Sequence, residues 1–315
     1  MADFDSATIE KRATRLAFLK RQLFGKPPLV TRNEIDLSGK TAIVTGSNTG
    51  LGFECSKQLL SLDLSRLIIA VRSETKGEEA KKRLLLANAK KQQQQQTRDH
   101  EYTKTVNRLD IVINNAGVLK REFNPDPRTG HETIQVNHLG NSLLIILLIP
   151  VLRSKTPNSS NSPGRITFVN SDIPSWAKFA QRNTVPLLLA FDDRSTFDVF
   201  DRYPTSKLLG QLFLRELVKR VPPSGVNGSF LGSIARSMSM FLARSASVGA
   251  RALTDAVVNH SGGSHGMYIE DGEVVPMAPF VYTPEGEKVA AQLWGETLDE
   301  LAFAGVQDIL NGLGK

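Results

Sequence analysis

Short apolar runs alternate with longer helical patterns along most of the chain. The runs are rich in β-branched residues and are predicted to be strands; they cover residues 41–45, 67–71, 111–113, 165–169 and 267–269. Helical spacing follows the first run and returns over residues 208–220. This alternation predicts an α/β fold, in which helices cover both faces of a doubly wound parallel sheet.

An amphipathic segment precedes the first predicted strand. In a helix over residues 7–24, apolar side chains fall largely on one side and lysines and arginines fill the rest, until a proline pair ends it. We assign residues 1–38 to this helix and a linker, and residues 39–315 to a single sheet domain. We expect the helix to dock on its own domain; contact with an acidic membrane surface is the alternative.

Composition narrows the class of protein. The chain has 315 residues, 40% of them hydrophobic, and can bury a substantial core. Its single cysteine, Cys55, precludes an internal disulfide, and no secretory leader pattern opens the sequence, so we expect a cytoplasmic protein. The longest apolar run, residues 143–152, has about half of the roughly 20 residues that cross a bilayer, and it is predicted to be a buried helix.

The distribution of charge argues against a nucleic-acid site, and the spacing of the histidines argues against a metal site. The net charge of +7 suits an anion such as a dinucleotide phosphate, but the positive residues are spread along the chain without interleaved aromatics, so we expect no nucleic-acid partner. His131, His138, His260 and His265 show no spacing typical of metal ligands, so we expect no metal.

A glycine-rich turn follows the first predicted strand and opens a helix. Gly46 permits a tight turn, Gly50 lets the backbone approach a pyrophosphate, and Gly52 lets helix and strand pack closely. The helix N-terminus attracts negative charge at the same place. The residues of this turn predicted to bind a dinucleotide are Gly46, Ser47, Asn48, Gly50, Leu51 and Gly52.

The end of the second predicted strand selects between cofactors in nucleotide-binding folds. An acidic side chain there binds the ribose 2′-hydroxyl, whereas a cation accommodates a 2′-phosphate. Here the strand ends in Val71, Arg72 and Ser73, and the forked guanidinium of Arg72 suits a phosphate. The sequence therefore predicts NADP(H) as the cofactor.

Two further segments carry groups suited to proton transfer. Tyr203 and Lys207 fall four residues apart on one face of a predicted helix. An ammonium beside the phenol, together with a positive nicotinamide ring, is expected to lower the phenol's pKa from about 10. Ser171 ends a predicted strand, at the carboxyl edge where ligands bind in open α/β sheets.

Taken together, these motifs resemble the short-chain dehydrogenase/reductase family. The matching elements are the Thr-Gly-x-x-x-Gly-x-Gly spacing from Thr45, the Asn-Asn-Ala-Gly run from Asn114, the segment around Asn137, the strand that ends at Ser171, and the Tyr-x-x-x-Lys pair. The resemblance spans about residues 39–297 and is greatest to the branch related to retinol dehydrogenases and fungal NAD(P)-binding proteins. It implies a Rossmann fold and a homodimer.

The resemblance also implies a role for each matching residue. Tyr203 would be the general acid or base, while Lys207 would tune the pKa of Tyr203 and bind the cofactor ribose. Ser171 would orient the substrate oxygen, and Asn137 would anchor a proton relay. Asn114 would brace the sheet and contact the adenosine side of the cofactor.

The predicted activity is NADP(H)-dependent oxidation or reduction of a secondary alcohol or carbonyl, in fungal secondary metabolism. An aromatic-rich insertion over residues 176–201 is expected to form a loop over a bulky apolar small molecule. Its aromatic residues are Trp176, Phe179, Phe191, Phe197 and Phe200.

The chain departs from the family pattern in three places. Asn170 stands where the first of two consecutive serines is usual, ahead of Ser171. No convincing apolar run lies between Ser73 and Leu109, where the family has its third strand and this chain has a glutamine run. The family's sixth strand and its Asn-Pro-Gly loop are not recognisable after residue 225. The sheet is therefore predicted to lack one or two strands, and a catalytically idle relative is the alternative function.

Overall fold

A seven-stranded sheet forms the centre of the computed structural model, which describes residues 4–92, 107–123, 125–126, 130–156, 164–221, 226–232, 244–260 and 262–313. The described strands are β1 (Thr41–Thr45), β2 (Arg66–Ala70), β3 (Ile111–Asn114), β4 (Pro125–Asp126), β5 (Gly130–His131), β6 (Gly164–Asn170), β7 (Val226–Gly232), β8 (Met267–Glu270) and β9 (Glu273–Val275). The sheet runs β2-β1-β3-β6-β7-β8-β9 and is parallel except for β9, while β4 and β5 form a separate antiparallel pair.

Helices cover both faces of this sheet. The described α-helices are α1 (Ser6–Ala13), α2 (Arg15–Phe24), α3 (Gly50–Ser61), α4 (Glu74–Gln92), α5 (Glu132–Ile134), α6 (Asn141–Lys155), α7 (Val199–Arg220), α8 (Ala246–Val258), α9 (Pro284–Glu300) and α10 (Val306–Leu313). On one face α3 packs beside α8, and on the other α6, α7 and α9 enclose the larger core. This arrangement confirms the predicted single doubly wound α/β domain.

The strand order reverses at β1. From β1 the chain moves outward to β2 and then crosses back, so that β3 lies on the other side of β1. In open α/β sheets, this reversal opens a crevice at the carboxyl ends of the strands, where ligands bind. The residues that follow β1, β2, β3 and β6 therefore converge at one edge, and they include the glycine turn, Arg72 and Ser171.

One of the two strands expected to be missing is present. β7 pairs with β6 in parallel along its whole length, from Val226 opposite Gly164 to Gly232 opposite Asn170, and it also pairs with β8. The prediction that the sixth strand was absent is therefore wrong. Its sequence, Val-Asn-Gly-Ser-Phe-Leu-Gly, has few β-branched residues, but an inner strand is fixed by hydrogen bonds to neighbours on both sides. The predicted loss of the Pro-Gly loop concerns residues 233–243, which lie outside the described residues.

The family's third strand is not seen in the described part of the chain. Between β2 and β3 the structure describes α4 and residues 107–110, and β2 is the edge of the sheet as described. The glutamine run falls in residues 92–96, of which 93–96 lie outside the described ranges. Because residues 93–106 of this interval lie outside the described ranges, the lack of this strand stays a prediction.

The long apolar helical stretch lies in the core. Residues Glu132–Lys155 form a 24-residue helical stretch that is long and apolar enough to cross a membrane, with half of its most apolar window buried. Ile145, Ile146, Ile149 and Leu152 are all buried in the larger core cluster. The buried-helix prediction for residues 143–152 is confirmed.

The N-terminal segment forms two helices where the sequence predicted one. The helix is interrupted at Thr14, whose backbone is extended. The Thr14 side chain accepts a hydrogen bond from the Ala17 amide and so caps α2. A threonine hydroxyl that satisfies the first free amide of a helix stabilises a new start at that point. The break gives α2 an orientation independent of α1.

Candidate active site

The glycine turn between β1 and α3 has the geometry expected of a dinucleotide turn. Gly46 and Gly50 have φ of +63° and +61°, in the left-handed region that favours glycine. A Cβ on Gly52 would lie 2.6 Å from Asn115 Nδ2 and 2.7 Å from the Gly46 oxygen. The N-cap of α3, Thr49, makes no side-chain cap, so the first amides of α3 receive no side-chain acceptor from that residue. An anion at this helix end would satisfy them.

Other residues of the predicted cofactor site brace this turn. Thr45 Oγ1 accepts hydrogen bonds from the amides of Asn115 and Ala116, at 2.9 and 2.8 Å. Ser47 is fully buried and its hydroxyl donates to the Val44 carbonyl. Asn114 is also fully buried; its Nδ2 donates to the Asn141 carbonyl at 3.1 Å. The side chains of Ser47 and Asn114 are thus occupied inside the protein, and their contact with a cofactor stays a prediction.

Replacing Gly52 by Ala is expected to lower the free energy of unfolding by about 1–3 kcal/mol. The added methyl would meet the backbone oxygen of Gly46, which cannot move without disturbing the turn. The matched control is Gly295→Ala in α9, where a Cβ meets nothing within 4 Å and helix propensity predicts a gain of about 0.5–1 kcal/mol. Urea denaturation of both variants measures the difference. Equal effects at the two positions would contradict the close helix–strand packing inferred at Gly52.

The cofactor-selecting position is exposed and lies among charged groups. Arg72 directly follows β2 and Val71, and its side chain is 91% exposed, with Nη1 3.8 Å from Glu132 Oε1. Lys120 Nζ lies 2.8 Å from Glu132 Oε2. Sequence reasoning therefore missed Lys120 and Glu132, because both are near Arg72 in the fold but distant from it in the chain.

Asn137 and Lys207 are brought together at the carboxyl edge of the sheet. Asn137 lies in a π-helical turn, Gln135–Gly140, and is fully buried; its Oδ1 accepts the Val118 amide, and its Nδ2 donates to Ser206 Oγ at 3.0 Å. A Cβ on Gly117 would lie 3.3 Å from Asn137 Oδ1 and 3.5 Å from Lys207 Nζ. The loop after β3 therefore lies in contact with both the amide of Asn137 and the ammonium of Lys207.

Tyr203 and Lys207 lie on one face of α7, as predicted. Lys207 Nζ is 5.8 Å from the centroid of the Tyr203 ring and donates to the Val169 carbonyl at 3.1 Å. Burial lowers the pKa of Lys207 from 10.5 to about 8. Burial raises the pKa of Tyr203 from 10.0 to about 12.

The protein alone therefore does not lower the phenol's pKa, and the lowering expected with a nicotinamide ring also beside it stays a prediction. The ammonium that was expected to do so is itself buried and directs a hydrogen bond to a backbone carbonyl, so desolvation of Tyr203 outweighs its attraction.

Ser171 directly follows β6, at the carboxyl end of the strand as predicted, and is fully buried. Its hydroxyl accepts the Ile173 amide at 3.3 Å, and its backbone oxygen accepts Gln211 Nε2, also at 3.3 Å. Asn170, which replaces the usual serine, donates to the Lys207 carbonyl at 3.0 Å and accepts the Ser171 amide at 2.8 Å. Asn170 therefore ties the strand that carries Ser171 to the helix that carries Tyr203 and Lys207.

Two supporting residues were missed by sequence reasoning. Gln211 is buried one turn beyond Lys207; its Nε2 donates to the Ser171 carbonyl, and its Oε1 accepts from the Ala278 amide. Asn141 is buried one turn beyond Asn137, and its Nδ2 donates to the Ala116 and Asn137 carbonyls. In both cases the available signal was a polar residue four positions further on the same helix face.

The aromatic insertion is mostly part of the scaffold. Phe179 and Phe191 are buried in the larger core and stack with their ring centroids 6.4 Å apart. Trp176 packs edge-on against Phe18 of α2. The idea that all five aromatics form a loop over a substrate is therefore wrong for these three, because their rings fill space within the fold. Phe197, which packs against Phe123, and the 81% exposed Phe200 remain near the start of α7.

Two residues with reactive side chains are inert in this fold. Cys55 is buried on α3, and burial raises the pKa of its thiol to about 12. His138 is buried beside Thr297, and burial lowers its pKa to about 3. Neither is therefore a general base near neutral pH. Within the described ranges, no three His, Cys, Asp or Glu residues group as metal ligands would.

Known proteins resemble this chain over nearly its whole length. The family model described as short chain dehydrogenase matches residues 40–180. The short-chain dehydrogenase fogG of Aspergillus ruber is 40% identical over 342 aligned positions, which cover 97% of this chain and 97% of that protein. The short chain dehydrogenase/reductase mfmJ of Annulohypoxylon moriforme is 40% identical, with 94% of each chain covered.

Solved structures share the fold at low sequence identity. An uncharacterised protein from Mycobacterium paratuberculosis matches with a TM-score of 0.63 at 21% identity, covering 87% of this chain and 98% of that one. A short chain dehydrogenase from Escherichia coli complexed with NADPH matches with a TM-score of 0.52 at 16% identity, covering 75% and 98%. With the fungal relatives and the glycine turn, these findings show that the chain belongs to the short-chain dehydrogenase/reductase family of oxidoreductases, in a branch shared with fungal enzymes.

Proposed function

We propose that the protein transfers hydride between NADP(H) and a carbonyl or secondary alcohol of a bulky apolar small molecule, in fungal secondary metabolism. The observation that carries this proposal is the juxtaposition of Tyr203 and Lys207 on α7 with the end of β6 and with the loop after β3, which packs in turn on the glycine turn. A proton donor, a cation and a dinucleotide turn at one sheet edge are the groups that such a reaction requires.

The residues divide the chemistry among them. The nicotinamide supplies or accepts the hydride. Tyr203 Oη gives its proton to the substrate oxygen during reduction, and Ser171 Oγ donates a hydrogen bond to the same oxygen as negative charge develops there. Lys207 favours the phenolate that remains and binds the ribose hydroxyls. Asn137 and Ser206 hold the turn of α7 between Tyr203 and Lys207, since Ser206 Oγ donates to the Tyr203 carbonyl at 2.8 Å.

The preference for NADP(H) rests on Arg72. Its guanidinium is exposed at the carboxyl end of β2 and lies near Glu132. Lys120 pairs with the same carboxylate and so adds a second positive charge nearby. Arg72 now lies 3.8 Å from Glu132. A 2′-phosphate would take the place of Glu132 as its partner and form a closer, forked interaction with the guanidinium.

Replacing Arg72 by Ala is expected to weaken NADPH binding about tenfold and to leave NADH binding unchanged. The factor is modest because the guanidinium is exposed and its charge is screened. Arg32→Ala is the matched control: it removes one arginine paired with Asp63, which lies just before the amino end of β2 and so away from the carboxyl ends of the strands. Fluorescence titration of each variant with both nucleotides measures the effect. A parallel loss for NADH and NADPH would refute the role of Arg72 in selecting the phosphate.

The proposal of an apolar substrate is supported by fewer aromatics than the sequence indicated. Phe123 and Phe197 pack edge-on with their centroids 5.8 Å apart. Phe197 immediately precedes Asp198, which caps α7, so this pair lies near the helix that carries Tyr203. Oxidation of NADPH with a panel of ketones, from acetone to polycyclic ones, tests the proposal; turnover confined to small polar ketones would overturn it.

A catalytically idle relative is the competing proposal. It is favoured by the complete burial of Ser171, whose hydroxyl is engaged by the Ile173 amide. Because the hydroxyl accepts from this amide, its own proton is still available to a substrate oxygen; the enzyme proposal requires the segment Ile173–Trp176 to shift so that the buried hydroxyl becomes accessible to that oxygen. Purified protein separates the two proposals: NADPH binding with ketone-dependent NADPH oxidation supports the enzyme, and NADPH binding without turnover on any ketone supports the idle relative.

A further inference from the structure

The N-terminal helices α1 and α2 turn charged side chains toward the protein. Arg12 forms an ion pair with Glu270, and Arg21 lies between Asp172 and Glu270, at 3.1 and 3.4 Å. Both carboxylates are largely buried, so the two arginines neutralise charges that would otherwise be costly to hold in the fold. A surface helix usually turns its apolar side to the core and its cations to water.

Further contacts fix α2 in this orientation. Trp176 Nε1 donates to the Ala13 carbonyl at 2.8 Å, and the Trp176 ring packs edge-on against Phe18 at 4.8 Å. Arg244 Nη2 donates to the Arg21 carbonyl at 2.6 Å while it also pairs with Asp271. Rotating α2 to bury another face would break these contacts and leave the buried carboxylates unpaired.

The opposite face of α2 is apolar and exposed. Leu16, Leu19 and Leu23 are 64%, 38% and 55% exposed, and their spacing places them on one side of the helix. We call these three residues the leucine stripe. Phe24 at the end of α2 and Leu29 just beyond it are 76% and 57% exposed and extend the apolar surface. An apolar patch of this kind on a soluble protein marks an interaction site.

Cations border the leucine stripe on both sides. Arg15 and Lys20 are exposed and flank the stripe around the helix axis, and Lys26 follows on the same exposed segment. α2 itself contains no acidic residue. An apolar strip bordered by positive charge matches a lipid surface, where leucines enter the acyl boundary and cations meet anionic headgroups.

We propose that the leucine stripe and its flanking cations dock the protein on an anionic membrane surface. This arrangement differs from an ordinary amphipathic arm because the ionic anchors face inward and hold the stripe outward before any lipid is present. No reordering of α2 is needed for the leucines to reach the membrane, so binding does not incur the cost of folding a helix.

The test is flotation of the full chain with lipid vesicles. Vesicles of phosphatidylcholine with phosphatidylserine are compared with phosphatidylcholine alone, for the natural chain and for the triple variant Leu16→Ser, Leu19→Ser and Leu23→Ser. The matched control is Leu86→Ser on α4, because Leu86 is 65% exposed and α4 lies elsewhere on the surface. We expect the triple variant to bind anionic vesicles at least tenfold more weakly and Leu86→Ser to bind them normally.

A second variant separates charge from apolar contact. Lys20→Gln with Lys26→Gln is expected to weaken binding to anionic vesicles about twenty-fivefold, at about fivefold for each cation lost, with no change in thermal unfolding. Failure of the natural chain to float with anionic vesicles would overturn the proposal. Equal binding to neutral vesicles would overturn it as well, and so would self-association in sedimentation velocity that the triple variant abolishes without any vesicle binding.

Discussion

Tyr203→Phe is expected to lower kcat about 10²- to 10⁴-fold while NADPH binds with unchanged affinity. The substitution removes one hydroxyl and keeps the ring beside Lys207. Because burial raises the pKa of Tyr203 to about 12, the phenol is protonated throughout the neutral range and is ready to donate its proton in reduction. Ketone-dependent NADPH oxidation, measured with a NADPH titration of each protein, checks both parts of the prediction.

The matched control for this variant is Tyr268→Phe. The Tyr268 hydroxyl is buried in β8 and finds no hydrogen-bond partner among the described residues, so removing it costs no contact. We expect Tyr268→Phe to keep full turnover and equal or greater stability. If Tyr203→Phe also kept turnover above a tenth of the natural rate, Tyr203 would not be the proton donor and the proposed mechanism would fail.

Most of the sheet could be predicted because most of its strands have a recognisable local sequence pattern. β1, β2, β3, β6 and β8 are short apolar or β-branched runs, and all of them except the half-buried β2 are largely buried, as continuous runs in a parallel sheet are expected to be. β7 could not be found in this way. Its glycines, serine and asparagine carry no strand signal, and its place is fixed by hydrogen bonds from β6 and β8.

The residues of the site could be predicted from motifs, whereas their pKa values could not. The residues at 137, 171, 203 and 207 are connected through short hydrogen bonds that include Asn170, Ser206 and Gln211, as the shared carboxyl edge predicts. The pKa of Tyr203 depends on how much water the fold excludes, and no spacing of residues records that quantity. The same limit applies to Phe179 and Phe191, whose role as core residues depends on neighbours distant in the chain.

The direction of α2 shows a further limit of sequence patterns. Periodicity correctly placed Leu16, Leu19 and Leu23 on one side of a helix but wrongly joined them to Ile9, which is buried in α1; the usual rule places such an apolar side against the protein. The structure places it outward because Asp172 and Glu270, far along the chain, pair with Arg21 and Arg12. Amphipathicity identifies two faces; the partners available on the domain decide which one is buried.

Lys207→Met is expected to stabilise the fold at pH 7 while it abolishes activity. Burial lowers the pKa of Lys207 from 10.5 to about 8, so the natural protein is penalised for holding the ammonium at neutral pH. That difference corresponds to about 3 kcal/mol as an upper bound, and the lost hydrogen bond to the Val169 carbonyl offsets about 1 kcal/mol of it. We therefore expect a net gain of about 2 kcal/mol for Lys207→Met, together with loss of turnover and weaker NADPH binding.

The pKa of Lys207 also predicts how the stability difference between the two proteins changes with pH. Between pH 8 and 10.5 the unfolded chain holds the Lys207 proton and the folded chain does not, so the natural protein gains stability as pH rises through that window. Below pH 8 both states are protonated and the penalty is constant; Lys207→Met lacks the dependence altogether. Urea unfolding at pH 7, 9 and 10.5 should show its advantage shrinking as pH rises, while Lys76→Met, an exposed control on α4, stays within about 0.5 kcal/mol of the natural protein throughout. A Lys207→Met protein less stable than the natural one at pH 7 would mean that the ammonium's contacts outweigh its desolvation, and that Lys207 is held in place by a net attraction.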